Sequence, residues 1–258
     1  MSVFTGELTS QVLSKNVTIS IIFPDSPYDL PQLDDKNKTM YLLHGYTGSS
    51  GDWLRFTQIE EFARKYNFTI VMADAFNSMY ATMEYGQDYP KFFLEELPEI
   101  ANRICKLPKD TFICGQSMGG YGACKLGLTR PDMFKAIGIL SAGISIGKLS
   151  EKDPHLGTTE MDKAQMAAFG KDGAYKEEND CYALSKKVKE AGKAIPIISY
   201  CGNSDFTFEA NNEFIKHLEN ISYPHQYYVT EGAHLWDYWN MVMPQLMGNL
   251  CQINKGKE

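Results

Sequence analysis

Short apolar runs separated by amphipathic stretches constrain this chain more than any other feature. Residues 39–43, 69–73, 111–114, 136–140, 196–200 and 226–229 are near-continuous apolar segments. Runs of that length suit parallel strands covered on both faces. Helical patterns lie between them, at 59–65, 92–104, 120–128, 211–219 and 236–250. An earlier segment, 12–23, contains the alternating Val17-Thr18-Ile19-Ser20-Ile21 and predicts an antiparallel strand. Strand–helix alternation of this kind gives an α/β fold with a mostly parallel, doubly wound sheet. One connection is long: about fifty residues lie between the strands ending near Ser141 and starting near Ile195. Its helical patterns at 160–169 and 183–191 predict a small cap at about 144–192, inserted in one domain spanning 1–258, over the carboxyl edge of the sheet.

Against that frame, residues 111–122 carry the sharpest chemical signal. The strand-like Phe112–Cys114 run enters Gly115-Gln116-Ser117-Met118-Gly119, and a helical stretch follows. A G-x-S-x-G pentad between strand and helix predicts a nucleophile elbow, in which the turn lifts the Ser117 hydroxyl above the sheet. A side chain at 115 or 119 would collide with the neighbouring strand or helix, so both positions are Gly.

A serine hydroxyl is a poor nucleophile near neutral pH and needs a base, which in turn needs an orienting acid. Among the five histidines, His44 follows a strand but precedes the serine. His155 lies in the cap, His217 in a helix among polar neighbours on an expected solvated face, and His225 at the start of a strand. His234 follows the last strand in a turn and is the expected base. Asp205, in the loop after the 196–200 strand, is the expected acid, although Asp in a Gly-Asn-Ser turn also suits a plain turn or cap role. Asp237 and Glu231 lie too close to His234 in sequence to fit better. Two backbone N–H groups are expected to face the developing oxyanion. One is that of Met118, and the other that of Tyr46 in Leu43-His44-Gly45-Tyr46, where glycine lets the backbone approach. His44 then holds the loop.

Other function classes are not supported. With a net charge of −7 and no dense Lys/Arg block, no nucleic-acid or anionic-membrane partner is expected. No 18-residue apolar window predicts a membrane span, and the N-terminal residues lack a signal-peptide pattern. Six scattered cysteines without C-x-x-C predict buried thiols and a cytoplasmic setting. The histidines lack ligand spacing, and neither a P-loop nor G-x-G-x-x-G is present, so neither a metal nor a cofactor is expected.

The chain resembles the esterase D family of α/β-hydrolases, most closely bacterial tributyrin-esterase-type carboxylesterases. The resemblance spans about residues 3–250. It rests on Tyr41-Leu42-Leu43-His44-Gly45, Asp52-Trp53-Leu54, Tyr85-Gly86, Glu95-Glu96-Leu97-Pro98, the stretch Gly115 to Gly122, Asp205-Phe206 with Glu209-Ala210-Asn211-Asn212, and His234 with Trp236, Tyr238 and Trp239. It implies an α/β-hydrolase with Ser117 as nucleophile, Asp205 as acid, His234 as base, and Tyr46 and Met118 as oxyanion donors. It also implies a small-molecule ester substrate with a short acyl chain, and often a homo-oligomer. S-formylglutathione hydrolases, feruloyl and acetyl-xylan esterases and mycolyl transferases are similar in fold and chemistry. Two departures bear on the pocket: Leu235 stands where relatives often carry an acidic residue, and Tyr80-Ala81-Thr82 where they often carry Tyr-Thr-Asp. Trp53, Tyr80, Trp236 and Trp239 are expected to line the site, each being equally suited to a plain core role. The rival from another class is a silent binding protein on the same fold, which usually lacks a triad member.

Overall fold

The structure, a computed structural model, describes residues 2–25, 37–145, 159–170 and 176–253. Among the described residues the strands are β1 (Ser2–Ser10), β2 (Lys15–Phe23), β3 (Lys38–Leu43), β4 (Phe68–Ala73), β5 (Thr111–Gln116), β6 (Ile137–Leu140), β7 (Ile197–Gly202) and β8 (His225–Thr230). They form one sheet in the order β1-β2-β4-β3-β5-β6-β7-β8. The first two pairings, β1 with β2 and β2 with β4, are antiparallel, and all others are parallel. This is the α/β-hydrolase fold.

The pleat explains why the central runs are apolar throughout. Met40, Leu42, Ile70, Met72, Phe112 and Cys114 point to one face, beneath α1 (Asp52–Phe56), α2 (Ile59–Tyr66) and α9 (Trp236–Leu250). Tyr41, Leu43, Val71, Ala73 and Ile113 point to the other, beneath α5 (Met118–Thr129), α7 (Cys181–Glu190) and α8 (Phe208–Asn220). Both faces are covered, so both side-chain sets must be apolar.

Three elements differ from expectation. β1 carries almost no buried side chain, so its sequence has no hydrophobic period to betray it. β8 is an edge strand with Tyr228 and Val229 exposed, not a strand covered on both sides. The expected 92–104 helix starts earlier, as α3 (Tyr89–Lys91), passes through a π turn at Phe92–Glu96, and continues as α4 (Leu97–Ile104). In the π turn the Leu97 N–H reaches back to the Phe92 carbonyl. Pro98 follows; it has no N–H to donate and its ring crowds the preceding turn, which the widened turn relieves.

Between β6 and β7 lie α6 (Glu160–Phe169) and α7, close to the expected helices. α6 opens with a capping box between Thr159 and Asp162. Its end is tied to the body of the protein by the N–H groups of Glu84 and Tyr85, which donate to Ala168 and Ala167 carbonyls. Residues 146–158 of the expected cap, including His155, and residues 171–175 lie outside the described residues. All six cysteines are free thiols, four of them buried.

Candidate active site

The pentad turns as the sequence predicts. Ser117 joins β5 to α5 with φ 53° and ψ −120°, a left-handed region that L residues rarely adopt and that marks functional strain. A Cβ on Gly115 would overlap the Gly119 carbonyl, and one on Gly119 would lie 2.5 Å from the Leu43 carbonyl oxygen. Only glycine at both positions lets α5 turn this tightly against β3 and β5. The Ser117 N–H donates to Leu140 C=O at 2.9 Å and the Gly143 N–H donates to Ser117 C=O at 3.2 Å, pinning the strained residue from both sides.

The ends of β7 and β8 bring two distant residues to this turn. His234 Nε2 lies 2.8 Å from Ser117 Oγ. Its Nδ1 lies 2.9 Å from each Asp205 carboxylate oxygen. The carboxylate can only accept, so Nδ1 carries the proton and Nε2 is left to accept from the Ser117 hydroxyl. The Asp205 side chain is fully shielded from solvent while that of His234 is 16% exposed. Burial alone would push the Asp205 carboxyl up. Hydrogen bonds from His234, from the Thr207 backbone and hydroxyl, and from Ser141 outweigh it and hold the carboxyl below its usual range. The acid is thereby kept ionised, the state in which it can hold the ring and stabilise an imidazolium.

His44 behaves as a loop anchor. Its Nδ1 donates to Gly45 C=O at 2.8 Å, and its Nε2 accepts the Ala75 N–H at 2.8 Å. Burial pushes the imidazole below its ordinary value, which keeps it neutral, and its two backbone partners fix this tautomer. The Gly45 carbonyl also accepts from Gly48 N–H at 3.1 Å. The Gly45–Tyr46 peptide is trans and planar, so anchoring its carbonyl on His44 turns the Tyr46 N–H the opposite way, away from that buried ring. Among the described residues neither the Tyr46 nor the Met118 N–H has a hydrogen-bond partner. Met118 opens α5, where unpaired N–H groups and the helix dipole favour negative charge.

The four aromatics divide into two pairs. Trp236 and Trp239 line a cleft of about 450 Å³ that also contains Ser117, His234, Gly45 and Tyr46. Trp53 and Tyr80, expected beside them, are fully buried and do not line it. The Trp53 indole donates to Leu43 C=O at 3.3 Å and the Tyr80 hydroxyl to His44 C=O at 2.9 Å. Both brace the loop from behind. His217 also departs from expectation: it is half-buried, with Nε2 3.0 Å from Ser185 Oγ and 3.1 Å from Tyr182 C=O, tying α8 to α7. The cleft has further walls that sequence reasoning missed: Gln116, Phe206, Phe56, Arg55 and, from α6, Met161. Gln116 and Phe206 adjoin triad positions in sequence, which is a usable signal. Met161 has none. A larger cavity, about 920 Å³, lies between the end of α5 and α7 and contains no member of the Ser–His–Asp array.

The Esterase family model matches residues 10–250. The chain belongs to the esterase family. An acetyl esterase of Caldicellulosiruptor saccharolyticus is 33% identical over 251 residues, covering 93% of this chain and 94% of that one. FphF, a fluorophosphonate-binding serine hydrolase of Staphylococcus aureus, superposes with a TM-score of 0.85 at 26% identity, covering 97% of this chain and 98% of that one. FrmB, an S-formylglutathione hydrolase of the same organism, gives 0.82 at 28% identity, with the same coverage. This esterase is accordingly a carboxylic ester hydrolase of the serine type. No helix among its described residues is long and apolar enough to cross a membrane.

Proposed function

We propose that this esterase cleaves short-chain acyl esters of small alcohols through an acyl-enzyme on Ser117. The observation that carries the reading is the unbroken relay from Ser117 Oγ through both His234 nitrogens to Asp205, at 2.8 and 2.9 Å. His234 takes the Ser117 proton as Oγ attacks the carbonyl carbon, and the imidazolium forms against the ionised Asp205. The carbonyl oxygen becomes an oxyanion held by the Tyr46 and Met118 N–H groups. His234 then returns the proton to the leaving alcohol, and water, activated by the same ring, releases the acid. Each such backbone donor is worth about 2.7–4 kcal/mol at the transition state.

Two features support a short acyl group: the modest cleft, and the acetyl esterase relative. The finer assignment to the tributyrin-esterase-type branch of the esterase D family rests on the sequence motifs. The cap reading gains support from Met161 of α6 on the cleft wall. Likeness to FrmB supports a second reading, a thioesterase acting on S-formylglutathione.

Hydrolysis of p-nitrophenyl esters from acetate to laurate, by wild type and Ser117→Ala, tests the proposal. Turnover falling steeply beyond butyrate, and lost by more than about a thousandfold in the variant, is the expected result. Turnover surviving in Ser117→Ala overturns the mechanism. Faster cleavage of S-formylglutathione than of any ester selects the second reading.

A further inference from the structure

Helix α5 buries a lysine that the proposed chemistry does not use. Lys125 lies two turns beyond Ser117, is 3% exposed, and donates from Nζ to the Tyr80 carbonyl at 2.9 Å. Among the described residues its ammonium has no ion-pair partner and no other hydrogen bond. Desolvating a cation with one of its three donors engaged is unfavourable, and burial pushes its pKa down to about 8. A fold retains such a group only where something compensates.

The group it holds is itself under constraint. Phe76, Met79 and Tyr80 all have φ between 50° and 54°, three left-handed non-glycine residues within five positions, which persist only where surroundings over-determine them. The Tyr80 ring is wholly buried, and a Cβ on Gly122 of α5 would overlap it, so the helix surface is cut to fit the ring. From that seat the phenol donates to the His44 carbonyl at 2.9 Å. His44 in turn fixes the Gly45–Tyr46 peptide through Gly45 C=O.

We propose that Lys125 and Tyr80 are positioning residues for the oxyanion site: the ammonium fixes the Tyr80 peptide, and the Tyr80 phenol fixes the His44 carbonyl, so that the Tyr46 N–H is held in its aim. The strut ties the second oxyanion donor to the same helix that carries the first, Met118. The two donors thus share one rigid reference, although Tyr46 lies on a loop some seventy residues away in sequence. The inference rests on the proposed role of Tyr46.

The test is Tyr80→Phe, which keeps the ring in its seat and removes only the hydroxyl, with Lys125→Met as the second variant. Active sites are counted by fluorophosphonate labelling, so that misfolded protein does not enter the rate. Per labelled site, kcat for p-nitrophenyl butyrate should fall about 10–100-fold, as a displaced catalytic group does, with KM within about twofold. Affinity for a trifluoromethyl ketone, whose adduct places an oxyanion in the hole, should fall in parallel. A lower melting temperature with unchanged kcat per labelled site overturns the proposal, and so does a rise in KM alone, which would make Tyr80 a substrate contact. Ser117→Ala run alongside separates the failures. If that variant stays active, the mechanism itself is wrong. If it is dead while Tyr80→Phe matches wild type in kcat and inhibitor affinity, only the strut is.

Discussion

Two loops at the carboxyl edge of the sheet each present a histidine, and they use it in opposite ways. The loop after β3 holds His44, 1% exposed, with both ring nitrogens committed to backbone groups. The loop after β8 holds His234, partly exposed, with one nitrogen on a hydroxyl that can give up its proton and the other on an ionised carboxylate. Position at the strand end is the same. What separates an anchor from a base is whether its partners can exchange a proton with it. A backbone carbonyl and N–H cannot, whereas a serine hydroxyl can give its proton to a ring whose cation a buried carboxylate stabilises.

The largest test of that contrast is His234→Ala. Kcat for p-nitrophenyl butyrate should drop by on the order of 10⁴–10⁶, as in other serine hydrolases stripped of their base, with little change in melting temperature. His44→Ala should behave the other way round. The triad stays, but the Gly45–Tyr46 peptide loses its anchor, and kcat should fall by about 10²–10³, the size of one oxyanion donor. Stability should fall too, because the buried Ala75 N–H is left unsatisfied, at about 1–3 kcal/mol, while the Gly45 carbonyl keeps only the Gly48 N–H. Equal losses of rate in the two variants, measured per folded molecule, would break the distinction.

Acid stability sharpens it further. Burial lowers the His44 pKa in the folded chain, so the unfolded chain takes up the proton more readily. The stabilisation from a neutral His44 is therefore complete above the unfolded value of about 6.5 and is lost as pH falls through the lowered folded value. His44→Gln should flatten that part of the curve of melting temperature against pH. An unchanged slope in the variant would mean that His44 does not bear the linkage.

The same contrast shows how far the sequence could be read. Ser117 was legible because strand, pentad and helix are contiguous, and the collisions that demand Gly115 and Gly119 are local. Asp205 and His234 were legible through chain order and strand ends, without any knowledge of distance. Trp53 and Tyr80 were not, because aromatic character near a catalytic loop does not say which side of the loop a ring occupies. Both support it from the core, where the Leu43 and His44 carbonyls need donors. β1 was missed for the reverse reason: an exposed edge strand held by pairing with β2 has no apolar alternation to read. Met161 reaches the cleft from α6 by tertiary placement alone.

The smallest effect is expected where His234 meets its outer surroundings. Trp239 sets its ring edge-on to His234 at 5.0 Å and donates its indole N–H to Ser141 Oγ at 3.2 Å. Ser141 in turn hydrogen-bonds Asp205. This outer link resembles the Tyr80 brace behind His44, but it ends on a carboxylate that keeps its bonds from Thr207 and His234. Trp239→Phe preserves most of the ring contact and leaves the Ser141 hydroxyl free to donate to Asp205. Kcat should therefore change by no more than about threefold, and stability by about 1 kcal/mol, the ordinary worth of one hydrogen bond. A fall of two orders of magnitude at constant KM would show that the orientation of His234 depends on the indole as that of the oxyanion loop depends on its buried braces. The base would then be as much a product of its second layer of contacts as the anchor is.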